Sequence, residues 1–126
     1  MAWNFLKKIM GNGDVVAPPE EAPHNNVSRI EHLSGQAFKK YLLETANSVL
    51  LDVRTPNEFA GGTIPGSLNV DFLSPNFAKN VGQLDQGVPY FVFCRSGNRS
   101  GQACQVMHQL GFDVCNLTGG IGEYPS

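Results

Sequence analysis

The chain has 126 residues, of which 41% are hydrophobic and 16% are charged, and its formal net charge is −2. This length and composition are typical of one soluble globular domain and exclude a disordered chain. The small negative charge gives no electrostatic reason to expect nucleic acid as a partner.

The three cysteines, Cys94, Cys104 and Cys115, are odd in number, which does not favour a disulfide framework, and they lack the paired spacing of metal ligands. The N-terminus has no signal-peptide pattern, and no apolar stretch is long enough to span a bilayer. We therefore expect a cytoplasmic protein in a reducing compartment, with no metal site and no association with a membrane.

Residues 1–26 are predicted to be an N-terminal extension ahead of a domain at 27–126. Within the extension, residues 11–26 (GNGDVVAPPEEAPHNN) have the composition of a flexible linker. Trp3, Leu6 and Met10 share one face, so residues 2–10 favour a short amphipathic helix. We expect this segment to be a frayed tail or a helix that docks on its own domain, and docking on a partner or membrane surface is the alternative.

From residue 27 onward, short apolar runs alternate with segments of helical periodicity. Ser34 is placed to cap a helix, Pro56 to begin one, and Gly111 to end one. This alternation predicts an α/β domain in which helices flank a mostly parallel central sheet. The expected strands are 27–33, 48–53, 68–70, 87–94 and 112–117, and the expected helices are 35–46, 56–60, 75–84 and 99–110, the last with Ala103, Val106, Met107 and Leu110 inward.

Cys94 is predicted to lie at the carboxyl end of a strand, where ligands bind in open α/β sheets. The segment CRSGNRS that it begins turns into a helix, so backbone N–H groups and the helix dipole can converge on the sulfur. Gly97 permits the turn, and Arg95 and Arg99 add positive charge. All these features favour the thiolate, so we expect a pKa below the free-thiol value of about 8.5.

The alternative is that Cys94 is a buried structural thiol. The two arginines, the glycine and the helix start in the loop after Cys94 argue against this alternative. Cys104 and Cys115 lack such neighbours and are expected to be packing residues. None of His24, His32 and His108 is an obvious base, and an ionised cysteine would not need one.

The segments LDVRTPNEFAGGTIPGSLNV, CRSGNRS and NLTGGI together resemble the single-domain form of the rhodanese (thiosulfate sulfurtransferase) family, in its order and spacing. The resemblance covers roughly residues 27–126 and implies a rhodanese-like three-layer fold. It implies that Cys94 takes a sulfane sulfur from thiosulfate or a related donor and carries it as a persulfide. The acceptor would be cyanide or a thiol, including a protein thiol. No cofactor is implied, and we expect a monomer.

By the same resemblance, the loop after Cys94 would bind the persulfide and the anionic donor. A second set of residues would support the loop structurally. Within this set, Arg54 and Glu58 are four residues apart and are expected to pair. The binding residues would be Arg95, Ser96, Gly97, Asn98 and Arg99, and the supporting residues Asp52, Arg54 and Glu58.

Two positions depart from the family pattern. Thr63 stands where the family commonly has histidine, and Tyr124 stands where it commonly has tryptophan. Both are expected to be scaffold positions, which leaves the chemistry of Cys94 in place.

Cysteine phosphatases and arsenate reductases are the main alternative, because their cysteine loops also close on an arginine. Those loops hold one more residue than the four that separate Cys94 from Arg99. The smaller ring favours a single sulfur atom over a tetrahedral oxyanion. A phosphatase would also need a general acid, for which Asp71 and Asp113 are candidates by residue type only. A non-catalytic rhodanese-like binding module is a further alternative, although such modules typically lack the cysteine.

Overall fold

The computed structural model describes residues 29–126, which form alternating strands and helices around one sheet. The helix expected in residues 2–10, the linker and the boundary at residue 27 lie outside this range. None of the helices between residues 29 and 126 is both long enough and apolar enough to cross a membrane. The elements in chain order are β1 (Ile30–Leu33), α1 (Gly35–Glu44), β2 (Val49–Asp52), α2 (Pro56–Ala60), β3 (Leu68–Asn69), α3 (Phe77–Val81), β4 (Tyr90–Phe93), α4 (Asn98–Gln109), β5 (Val114–Leu117) and a 3-10 turn (Ile121–Glu123).

The five strands form a sheet in the order β1-β5-β4-β2-β3, and every neighbouring pair is parallel. The expected mostly parallel sheet is therefore confirmed. β4 lies at its centre, and all four of its residues are buried, as its continuous apolar run predicts. β3 is shorter than expected and pairs with β2 through only Leu68 and Asn69.

Two apolar cores lie on opposite faces of the sheet. Phe38 of α1 packs with Phe91 and Leu117 on one face, with the rings of Phe38 and Phe91 edge to face at 5.4 Å. Val81 of α3 and Met107 of α4 belong to the core on the other face. Helices on both faces of a parallel sheet confirm the predicted three-layer α/β architecture.

α4 ends in a Schellman motif at Gly111, whose φ of +100° suits glycine. The Gly111 amide donates to His108 O and the Phe112 amide to Met107 O, both at 3.0 Å. The inward position expected for Leu110 is wrong, because this side chain is 41% exposed. Leu110 is the cap residue, so it lies past the last helical turn that packs on the sheet.

The neighbouring parallel strands β2 and β4 are followed by connections that lead to opposite sides of the sheet. The chain leaves β2 toward the β3 edge, and it leaves β4 toward β5 on the other side. The carboxyl ends of β2 and β4 therefore flank a topological switch point, which is where open α/β sheets form their ligand crevice.

Candidate active site

Cys94 follows β4 directly, at this switch point, and its side chain is only 1% exposed. Three residues separate it from α4, which begins at Asn98. The Gly97 amide donates a hydrogen bond to Cys94 Sγ at 3.0 Å. The tight connection from strand to helix thus directs a backbone donor at the sulfur, as the loop sequence predicts.

The pKa of the Cys94 thiol lies below its ordinary value, as the net result of effects that raise it and effects that lower it. Burial is the largest single effect and raises the pKa, since it disfavours the charged form. The dipoles of the Ser100 hydroxyl and amide and of the Gly97 and Ser96 amides favour the thiolate, and their lowering of the pKa together outweighs burial. The expected direction of the shift is confirmed, and its main source is the fixed dipoles of the loop and the first turn of α4.

Two glycines allow the loop after β5 to lie directly against the cysteine loop. Gly97 has φ +97°, and a Cβ there would lie 1.9 Å from Thr118 O. Gly120 has φ +82°, and a Cβ there would lie 2.0 Å from Arg95 O. Between these contacts, the Ile121 amide donates to Cys94 O at 2.8 Å. The backbone around Cys94 is therefore held in place by the segment 118–121.

Replacing Gly120 by alanine should displace the cysteine loop, because the new Cβ would collide with backbone and not with a movable side chain. We expect a loss of about 1–3 kcal/mol in unfolding free energy from the backbone conformation alone. Cys94 should also alkylate more slowly at neutral pH. Gly122→Ala is the matched control, since a Cβ there meets nothing within 4 Å. Equal stability and equal alkylation rates for the two variants would contradict this account.

Arg99 is held by a carboxylate from a neighbouring loop. Its Nη1 and Nη2 donate to Glu58 Oε1 and Oε2 at 2.8 and 3.1 Å, which is bidentate geometry. Glu58 also closes a capping box with Thr55 at the start of α2. The Arg99 bond, followed by the Thr55 amide, lowers the pKa of Glu58 to about 2. The guanidinium of Arg99 is thereby tied to α2 beside the cysteine loop.

The expected pair between Arg54 and Glu58 is not formed, because each side chain has a different partner. Arg54 donates to the buried carboxylate of Asp52 through Nε at 3.0 Å and Nη2 at 2.7 Å. Nη2 also donates to Gly62 O, and the Thr63 hydroxyl donates to Asp52 Oδ2 at 2.8 Å. The residues that follow β2 are thus linked by a network centred on Asp52, and Thr63 belongs to it.

Arg95 and Asn98 are exposed at the mouth of the loop. The Asn98 side chain accepts a hydrogen bond from Gln102 at 2.8 Å. For Arg95 there is no carboxylate within salt-bridge distance among residues 29–126. Arg95 is therefore the loop arginine whose charge remains available to an incoming anion.

Cys104 and Cys115 are fully buried in the two cores, as expected for packing residues. Burial raises the pKa of both thiols, so neither ionises near neutral pH. Of the three cysteines, Cys94 is thus the one whose thiol pKa is lowered.

The carboxylates considered as general acids do not approach Cys94 along the sheet. Asp113 precedes β5, so it lies at the amino edge, where its Oδ1 accepts the Arg29 amide at 2.9 Å. Asp71 follows the edge strand β3, and its Oδ1 accepts the Leu73 amide. His32 is on β1, two strands away from β4. Asp113 is thus at the sheet edge opposite Cys94, and β3 before Asp71 and β1 with His32 are each two places away from β4.

Ser100 is a site residue that the motif analysis did not single out. It lies in the first turn of α4, is fully buried, and contributes to the lowered pKa of the Cys94 thiol. A sequence signal for its burial existed, because Ser100, Ala103, Cys104 and Met107 follow the i, i+3, i+4, i+7 spacing of one helix face.

Comparisons with known proteins concern the family and the fold of the chain. The sequence model of the Rhodanese-like domain family matches residues 35–125. A sulfurtransferase of Allochromatium vinosum is 34% identical over 94 residues, covering 73% of this chain and 85% of that protein. The thiosulfate sulfurtransferase GlpE of Shewanella oneidensis is 32% identical over 99 residues, covering 78% and 95%. The crystal structure of a rhodanese-like domain protein from Staphylococcus aureus superposes with a TM-score of 0.66 at 25% identity, covering 76% and 92%.

The fold and the site define an α/β protein with a buried cysteine at the carboxyl edge of a parallel sheet, where a backbone amide donates to the cysteine sulfur. The extent of the family match and the identity to two sulfurtransferases place the chain more narrowly. It belongs to the rhodanese-like domain family.

Proposed function

We propose that this protein is a sulfurtransferase that uses Cys94 to carry a sulfane sulfur from thiosulfate or a related donor to cyanide or a thiol. The observation that carries the proposal is the lone ionisable cysteine held under converging amides, with the Gly97 amide 3.0 Å from its sulfur. A persulfide is an anion on the same side chain, so the donors that favour the thiolate also favour the loaded form.

The reaction balances in two displacements. The Cys94 thiolate attacks the outer sulfur of thiosulfate, the S–S bond of the donor breaks, and sulfite leaves with the electron pair. Cyanide or a thiolate then attacks the outer sulfur of the persulfide, the new S–S bond breaks, and the Cys94 thiolate is regenerated. Each step exchanges one sulfur bond for another, so no external oxidant or reductant is needed.

The backbone amides of the cysteine loop would stabilise the outer sulfur of the persulfide. The loop amides and α4 would hold the negative charge of the persulfide, while Arg95 at the mouth would attract the anionic donor. Because Arg99 is neutralised by Glu58, we assign it to holding the loop against α2 and not to binding the donor. Asp52 and Arg54 would keep the neighbouring loop in place.

The test is the intact mass of the purified protein before and after incubation with thiosulfate. The proposal predicts a gain of one sulfur atom, lost again on adding cyanide with release of thiocyanate. If the folded protein gains no sulfur from thiosulfate or an organic polysulfide, the proposal fails. Hydrolysis of an aryl phosphate in the same preparation would instead support a cysteine phosphatase. Inactivity toward both substrate types would support a binding module.

Arg95→Ala should raise the KM for thiosulfate several-fold, by roughly 3–10 times, because one attractive charge is lost at a partly screened site. Transfer from an uncharged organic polysulfide should change much less. Steady-state kinetics with both donors measures the difference, and raising the salt concentration should reduce thiosulfate use by the native protein. Lys79→Ala, an exposed cation on α3, controls for the change in net charge. Equal losses with both donors would mean that Arg95 shapes the loop instead.

A further inference from the structure

Glu58 occupies the arginine that closes the cysteine loop. Its two carboxylate oxygens accept from Arg99 Nη1 and Nη2 at 2.8 and 3.1 Å, so both terminal nitrogens of the guanidinium have a partner. A guanidinium binds a phosphate-like oxyanion through the same paired N–H groups, because they match two oxygens of the anion. The carboxylate of Glu58 therefore takes the place that such an anion would take on Arg99.

The carboxylate of Glu58 is itself fixed on α2. The amide and the hydroxyl of Thr55 donate to Glu58 Oε1 at 3.0 and 3.1 Å, and the Glu58 amide donates back to Thr55 Oγ1 at 3.3 Å. Because the pKa of Glu58 is lowered to about 2, chiefly by the bond from Arg99, the group is ionised at neutral pH. An anion that displaced Glu58 from Arg99 would therefore lie beside a fixed negative charge.

The pair of Glu58 and Arg99 lies at the crevice that contains Cys94. Arg99 is the second residue of α4, directly after the cysteine loop, and Glu58 is on α2, which follows β2. Since β2 and β4 are parallel neighbours, α2 and the cysteine loop extend from the same edge of the sheet. The side chains of Arg99 and Glu58 are 22% and 28% exposed, so a dissolved anion can reach them.

A sulfur donor and an oxyanion would use this crevice differently. Thiosulfate can present its outer sulfur to Cys94 and keep its oxygens at the mouth, beside the exposed Arg95. Arg95 has no carboxylate within salt-bridge distance anywhere in residues 29–126. Phosphate, arsenate and sulfate have only oxygens to present, so their charge must enter the loop itself. The exposed arginine is thus available to an anion, whereas the partly buried Arg99 is occupied.

We propose that Glu58 is a specificity-determining residue, which excludes tetrahedral oxyanions from the Cys94 loop by occupying the guanidinium of Arg99. Without this carboxylate, the loop amides and Arg99 would together form a general oxyanion site. Phosphate bound there would cover the sulfur of Cys94. The benefit for sulfur transfer, which is freedom from inhibition by phosphate, rests on the proposed function, whereas the exclusion itself does not.

The experiment measures how well inorganic phosphate protects Cys94 from alkylation by iodoacetamide in the native protein and in Glu58→Gln. Sodium chloride at equal ionic strength is the reference, because it removes the effect of screening. We expect the half-protecting phosphate concentration to fall about 10-fold in Glu58→Gln, since the freed guanidinium can bind the anion. Glutamine keeps an oxygen for the Thr55 amide, so α2 should stay capped, and the melting temperature checks the fold.

Glu44→Gln is the matched control, because it removes the same charge from an exposed pair with Lys40 on α1. It should leave phosphate protection at the native value. Glu58→Gln combined with Arg99→Gln should lose the gain in protection. A gain that is absent from Glu58→Gln, or that persists in this double variant, would overturn the inference. The assay contains no sulfur donor, so a protein that takes up no sulfur but shows the gain would contradict only the proposed function.

Discussion

Replacing Cys94 by serine is expected to abolish sulfur uptake, with a fall in turnover of at least about a thousandfold. Serine keeps the shape of the side chain, but its hydroxyl does not ionise near neutral pH, and oxygen cannot form the persulfide. The backbone around position 94 is held by Gly97, Gly120 and the Ile121 amide, so the fold should survive. Intact mass after thiosulfate and the rate of thiocyanate formation measure the loss.

The two other cysteines provide the controls for this experiment. Cys104→Ala and Cys115→Ala each remove a thiol that burial keeps protonated. Each should cost about 1 kcal/mol of stability through the small cavity that it leaves, while sulfur uptake per folded molecule stays intact. Sulfur uptake that persists in Cys94→Ser, or that disappears in Cys104→Ala, would move the nucleophile away from Cys94.

Asp52→Asn is expected to cost about 3–5 kcal/mol of unfolding free energy, because it leaves the buried Arg54 guanidinium without a counter-charge. The Asp52 side chain is fully buried and that of Arg54 is 9% exposed, so water cannot replace the lost partner. Urea unfolding followed by circular dichroism measures the change. Activity should fall with it, since this network orders the residues after β2 at the edge of the site.

Two further variants compare the stability contribution of this buried ion pair with that of an exposed ion pair. Asp52→Asn combined with Arg54→Met removes both charges, and it should be more stable than the single variant. Glu44→Gln breaks the exposed pair between Lys40 and Glu44 and should cost less than about 0.5 kcal/mol. A loss below 1 kcal/mol for Asp52→Asn would show that the buried network tolerates an unpaired arginine.

The sequence predicted the features of the site that depend on local order. A short turn from a strand through a cysteine and a glycine into a helix directs backbone amides at the cysteine sulfur. In the structure, the Gly97 amide donates to Cys94 Sγ and the helix begins at Asn98. Pro56 and Gly111 likewise begin and end helices where expected. These features need only neighbouring residues, so the pattern is sufficient.

The side-chain pairing could not be read from the sequence. Spacing alone favoured a bond between Arg54 and Glu58, whereas Arg54 turns back to Asp52 and Glu58 reaches Arg99, 41 residues away. The choice depends on β2 and β4 being neighbours in the sheet, which brings α2 beside the cysteine loop. The sequence therefore assigned Arg99 to the residues that bind the donor, whereas in the structure its guanidinium is paired with Glu58.

The two departures from the family pattern have local explanations. Thr63 donates a hydrogen bond to Asp52, so a hydroxyl serves the network at this position. Tyr124 packs edge to face on Phe38 at 6.2 Å, and the ammonium of Lys39 lies 5.4 Å from its ring. Both side chains thus belong to the scaffold, as their positions in the sequence suggested.

The pairing of β1 with β5 has a consequence for the synthesis of the protein. His32 and Asn116 are register partners although 84 positions separate them in the chain, so the sheet closes only after Leu117 has been made. Contacts between such distant segments form late, because a long loop must be ordered first. Segment 118–121, which holds the cysteine loop, is synthesised later still. In a nascent chain, Cys94 therefore lacks the contacts made by segment 118–121, and we expect its thiol to react as an ordinary cysteine until the domain has folded.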